Sequence, residues 1–237
     1  MGTMRRLQKK LKEENSDLIE SFINLQDNAD DYEIWVPYFY HGIVGFIDLV
    51  VEGGSEISLF KFTRNTKKIE KVVKSLKLEK SVYPKSRNVT SKKNIQSYLV
   101  IEDGRKNRKS ILSQEELLRK QPFEILFLDK GRNRIESIFE LRDSLPRLFQ
   151  TRNIRLNDEA LEELITNPNH LRVERAILNL EDPPDEITGE LVKKTERYIK
   201  RNDEPPENTE SLTNSNKHRT ESYGTRTNSD IKKAKQS

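Results

Sequence analysis

An α/β fold built on a mixed sheet is what this sequence predicts, and three observations carry that expectation. Two apolar, β-branched segments, Gly45-Phe46-Ile47-Asp48-Leu49-Val50-Val51 and Ile57-Ser58-Leu59-Phe60-Lys61-Phe62, flank a glycine-rich turn and read as a hairpin. A lysine-rich stretch with helical periodicity follows them. Phe123 to Leu128 then forms a nearly continuous apolar run, as expected of a strand covered on both faces.

The elements follow in order. Apolar positions at Met4, Leu7, Leu11, Leu18, Ile19, Phe22 and Ile23 predict a helix over residues 4–27, broken or recapped near Asn15-Ser16-Asp17. Glu33 to Tyr40 reads as a strand, and Pro37 places it at a sheet edge because proline cannot donate to a ladder. The hairpin covers about 43–51 and 57–63. Thr66 to Lys80 is an amphipathic helix with Ile69, Val72, Val73 and Leu76 on one face, ending before Pro84. Ile95 to Glu102 is a strand, followed by a basic turn from Asp103 to Lys109. Ser113 and Glu116 form a capping box for a short helix. The predicted order is α-β-β-β-α-β-α-β.

Residues 1–130 would form this core, and 131–201 a helical region with segments at Ile135–Phe149, Asp158–Ile165, Leu171–Leu180 and Ile187–Ile199. Residues 202–237, rich in Asn, Thr, Ser, Glu and Lys, are expected to be a disordered tail.

Composition narrows the function classes. Charged residues make up 35% of the 237 positions and hydrophobic ones 33%. With no cysteine and three dispersed histidines, neither a thiolate zinc site nor a histidine cluster is expected. No secretory pattern and no long apolar run occur, so a cytoplasmic protein without membrane contact is expected. The net charge is only +4, yet residues 61–95 hold twelve Lys and Arg against Glu70 and Glu79. Such polarisation suits a polyanionic partner. Trp35, Tyr38, Phe39 and Tyr40 offer either core or stacking surface for unpaired bases.

A lone Asp and a lone Lys in apolar strands are costly to bury unless paired or used. Side chains alternate faces along a strand. A four-residue loop, Gly53 to Glu56, would set Asp48 directly opposite Lys61, whereas a three-residue loop would send Lys61 to the other face.

Gly45-x-x-Asp48-Leu-Val-Val followed by Leu59-x-Lys61-Phe-Thr63-Arg64 resembles the hairpin of the PD-(D/E)XK, or restriction-endonuclease-like, superfamily, nearest to archaeal Holliday-junction resolvases. The resemblance spans roughly residues 5–129. It implies a mixed sheet flanked by helices, Mg²⁺ held by Asp48 and a second acid, and Lys61 placed to orient the attacking water. The helix acid Glu20, or else Glu14, matches the family's frequent N-terminal glutamate. The sequence departs from the motif at Leu59, where the family carries Glu or Asp.

The expected function is therefore nucleic-acid binding on a degenerate nuclease fold. Arg64, Lys67, Lys71, Lys74 and Lys77, with Arg105, Lys106, Arg108 and Lys109, would contact DNA phosphates. An alternative is an active Mg²⁺-dependent endonuclease with catalytic Asp48, Lys61 and Glu20, the missing acid coming from Glu20, Glu52 or Glu56. A third reading is a non-enzymatic assembly subunit that offers residues 135–200 to a homodimer mate or another protein.

Overall fold

The computed structural model describes residues 2–26, 31–67, 69–87, 89 and 93–203. The expected tail lies, from residue 204 on, outside the described residues. Ten elements build the core: α1 (Gly2–Ile23), β1 (Tyr32–Tyr40), β2 (Ile43–Glu52), β3 (Glu56–Thr63), α2 (Ile69–Ser86), β4 (Asn94–Glu102), α3 (Arg105–Leu112), α4 (Glu115–Leu118), β5 (Glu124–Asp129) and β6 (Arg134–Ser137). The six strands lie side by side in chain order. β1, β2 and β3 are antiparallel, β3, β4 and β5 are parallel, and β6 returns antiparallel. The expected strand and helix order is the observed one, with α3 and α4 together filling the helical crossover from β4 to β5.

Strand alternation sorts the hairpin side chains between two helices. Phe60 and Phe62 face α1, where the Phe22 ring lies 4.9 Å from Phe60 and 5.4 Å from Phe62. Ile57 and Leu59 face the other way and pack with Val82 and Tyr83 of α2. β1 changes face at Trp35, whose φ of 57° is unusual for a bulky side chain. Ile34 and Trp35, although adjacent, both line the recess beside α1, while Val36 and Tyr38 join the α2 cluster. The register of β1 on β2 is unchanged across this point, Ile34 pairing with Leu49 and Val36 with Ile47.

Four local expectations are corrected. α1 runs without a break through Asn15, because the Asn15 amide donates 3.1 Å to the Phe62 carbonyl and so serves packing instead of recapping. α2 continues to Ser86 with Pro84 inside it, since burial of Val82 and Tyr83 outweighs the missing backbone bond. The basic segment after Asp103 is not a turn but the helix α3. At α4 no capping box forms, and the Ser113 hydroxyl donates to the Ser110 carbonyl instead.

Beyond β6, α5 (Ile138–Gln150), α6 (Asp158–Thr166), α7 (His170–Leu178) and α8 (Gly189–Asp203) follow, with a minimal parallel pair, β7 (Arg155–Leu156) and β8 (Glu186–Ile187), between them. The stretch read as one helix from Ile135 is divided at Ser137, which ends β6 and caps α5 by accepting from the Glu140 amide. Asn157 caps α6, accepting from Ala160 N at 2.8 Å. These helices share one continuous apolar cluster with the sheet, including Leu99, Ile101, Ile125 and Phe127 on one side and Leu164, Ile165, Val173 and Ile177 on the other.

Candidate functional site

The hairpin settles its register through the loop. Glu52 pairs with Ile57 and Leu49 with Phe60, so the four-residue loop is the one used, and just beyond the last ladder pair the Asp48 and Lys61 side chains meet. Gly45 is needed two residues before Ile47, because a Cβ there would run into the Tyr38 ring. The Lys61 ammonium donates to Asp48 Oδ1 at 3.1 Å and to the Phe46 carbonyl at 3.3 Å. A further acceptor, Glu79 Oε1, lies 3.0 Å away on α2. Asp48 is completely buried, Glu79 is 1% exposed, and the Lys61 side chain retains 13% exposure.

The remaining lone pairs of this triad are only partly used. Asp48 Oδ2 accepts from the Phe62 amide at 2.9 Å, and Glu79 Oε1 accepts from the Ser75 hydroxyl at 2.8 Å. Glu79 Oε2 is buried without a partner among the described residues. Burial, opposed by Lys61, pushes the Glu79 carboxyl up to about 7 and raises Asp48 as well. Burial disfavours the Lys61 ammonium, but the two carboxylates overcome that and hold it protonated, above its ordinary range.

The structure joins Asp48 and Lys61 as the sequence predicts, but the second acid is neither Glu20 nor a residue near the turn. Glu20 is exposed on α1 and lines a recess with Ile23, Tyr32, Ile34 and Trp35. Arg64 donates to the Glu14 backbone carbonyl, Glu52 pairs with Lys93, and Glu56 accepts from Ser58 at 3.2 Å. Glu79 was missed although its signal was present. Ile69, Val72, Leu76 and Tyr83 lie at helical spacing, and Glu79 interrupts their apolar stripe on one face.

Mg²⁺ requires oxygen ligands at about 2.0–2.1 Å and usually keeps several waters. The residues here do not fit it. The point between Asp48 and Glu79 is filled by the Lys61 ammonium, Leu59 is fully buried in the α2 cluster, and no group of three His, Cys, Asp or Glu among the described residues is arranged to hold a metal.

The nine predicted phosphate-contacting residues divide into two sets. Arg64 is committed to Asp17 and Glu102, and Arg105 pairs with Glu163 and Glu196. Arg108 is completely buried, donating to Asp103 at 2.6 and 2.8 Å, to Glu136 at 2.7 Å and to the Ile165 carbonyl at 3.0 Å. It is a structural residue, which corrects its assignment to a phosphate-contacting loop.

Lys67, Lys71, Lys74 and Lys77 on or just before α2, and Lys106 and Lys109 on α3, are exposed, and none makes an ion pair with a described residue. Lys67 and Lys71 line one recess with Ser110 of α3, which lies one turn beyond Lys106 and directly follows Lys109. Lys74 and Lys77 line the adjoining recess with Gln114, Leu117 and Gln121. Asn107 fastens the two helices' starts together, its amide donating to the Arg64 carbonyl at 3.0 Å and the Glu102 carbonyl at 2.8 Å. Of the aromatic group, Trp35 and Tyr38 are core, and Phe39 is the most exposed.

No protein-family model and no curated protein matches the chain. Among solved structures, the chain is similar to an fdxN-element excision controlling factor from Anabaena variabilis, at 13% identity and a TM-score of 0.33, over 50% of this chain and 97% of that one. It is also similar to the small subunit of the heterodimeric restriction endonuclease R.BspD6I, at 11% identity and a TM-score of 0.31, over 85% of this chain and 99% of that one. No described helix is long and apolar enough to cross a membrane.

Proposed function

We propose that this chain binds nucleic-acid backbones without cutting them, on a restriction-endonuclease-like scaffold whose metal site is closed. The observation that carries this reading is the contrast between the two sets of cations. Three arginines are spent in ion pairs with Asp or Glu of this chain, whereas six lysines stand exposed without an ion pair to any described residue, four of them, Lys67, Lys71, Lys74 and Lys77, along the cleft between α2 and α3–α4, and Lys106 and Lys109 on α3 itself. An uncompensated row of ammonium groups attracts phosphates and releases counterions on binding, without selecting bases. The closed Asp48–Lys61–Glu79 triad supports the non-cutting half of the proposal, because it leaves no open position for a metal-bound water.

The test is the salt dependence of binding to a fluorescent DNA duplex, measured by anisotropy. Wild-type affinity should fall steeply with salt and differ little between duplex sequences. A Lys67→Glu, Lys71→Glu, Lys74→Glu, Lys77→Glu variant should flatten the slope of log affinity against log salt by about one unit for each phosphate no longer neutralised. An unchanged slope in a folded variant would reject this surface as the interface.

A further inference from the structure

We infer that residues 204–212 of this chain dock in the recess between α2 and α4, where they cover Lys74 and Lys77. The recess has a volume of about 220 Å³ and an apolar lining, Ile69 and Val73 from α2 and Leu117 and Leu118 from α4. Leu117 is 55% exposed there. Lys74 and Lys77 also line this recess, and the adjoining one carries Lys67 and Lys71. Glu70 borders both, so four lysines face a single acid in the two linings. The occupant that fits is an apolar side chain carried by an acidic stretch. The apolar group leaves water, and the carboxylates relieve the repulsion among the ammonium groups.

This chain carries such a stretch directly after α8. Glu204, Glu207 and Glu210 are followed by Leu212, with no Lys or Arg between Arg201 and Lys217. Leu212 is also the only large apolar residue between Ile199 and Tyr223. α8 delivers the stretch to the cleft. Arg105, at the start of α3, donates 3.4 Å to Glu196, from which α8 runs on about 10 Å to Asp203. From Arg105, α3 and α4 lead about 18 Å to Leu117. The extended stretch from Glu204 to Leu212 spans about 30 Å, which brings Leu212 within reach of the recess. Pro205 and Pro206 have little backbone freedom to lose, which lowers the cost of ordering. Tethering gives an effective concentration on the order of millimolar, so a weak contact suffices and a second copy is at a disadvantage. Docking needs only the recess; its consequence, competition with phosphates for Lys74 and Lys77, rests on nucleic-acid binding by the same lysines.

The chain has no cysteine, so Ser113→Cys, exposed next to Gln114 of the recess, and Ser215→Cys take spin labels selectively. The experiment is pulsed dipolar electron spin resonance on this doubly labelled full chain. The expected distance distribution is short and narrow at low salt. It should become long and broad in high salt, with Leu212→Ser, and with Glu204→Lys, Glu207→Lys and Glu210→Lys combined. A distribution that is broad from the start, or that none of these changes shifts, would overturn the inference. So would a dipolar signal from Ser215→Cys alone that grows with protein concentration, because it places the segment on a second copy. DNA anisotropy is scored separately. Leu212→Ser should bind a duplex severalfold more tightly than wild type. Equal affinity beside shifted distances would uphold the docking and reject the lysine surface as the DNA interface.

Discussion

Asp48, Lys61 and Glu79 show how a single side chain decides what a motif can do. Breaking a buried ion network by removing one partner costs about 3–5 kcal/mol, because the charges left behind lose their compensation. Lys61→Met should therefore lower stability by about that amount, measured by urea unfolding. Glu79 also sets a pH dependence. Its carboxyl ionises near 4.5 when unfolded but at about 7 in the native protein. Between those values the native state holds a proton that the unfolded chain has released, so this group's contribution falls as pH rises through the window. Glu79→Gln should flatten the stability profile between about pH 4.5 and 7, as read from urea midpoints. Glu136 acts in the opposite sense. Although burial raises it, the nearby His170 ring and the Arg108 guanidinium bring it down to about 2, so its contribution is present above 4.5 and is lost as pH falls toward 2.

At the scale of elements, the hairpin was legible because its chemistry is local. Alternating apolar residues, two glycines and one Asp–Lys pair leave few registers, and the one observed is the one that pairs the charges. α3 was not legible. Gly104 followed by six polar residues looks like a turn, and only its tertiary partners make it helical: Arg108 reaches Glu136 and Ile165, and Ile111 is fully buried. Glu79 was hidden for a similar reason, since a glutamate in a lysine-rich helix reads as surface until the helix is placed on the hairpin. The two kinds of basic residue on α3 should separate cleanly. Arg108→Ala should cost about 3–5 kcal/mol, while Lys106→Ala should change stability by less than about 0.5 kcal/mol and weaken DNA binding instead. Thermal melts alongside anisotropy distinguish the two.

Over the whole molecule, the helical region is part of the core that supports the cleft. Leu164, Ile165, Val173 and Ile177 complete the apolar layer on β4 and β5, and Arg108 ties α3 to the α6 carbonyl of Ile165. A chain ending at Ser137 would expose Leu99, Ile101, Ile125 and Phe127, which are now at most 1% exposed. It should fail to fold cooperatively, whereas the intact chain should show a single urea transition by both fluorescence and circular dichroism. This integration was not readable in advance, because amphipathic helices announce that they have an apolar face without saying what covers it. The most direct measurement is a single gel assay in which plasmid, fork and four-way-junction DNA are incubated with wild type, Asp48→Ala and the four-lysine variant, with Mg²⁺, Mn²⁺ or EDTA. The account predicts a mobility shift without cleavage, equal in all three ionic conditions, retained by folded Asp48→Ala and lost in the lysine variant. Metal-dependent cleavage that disappears in Asp48→Ala would contradict it.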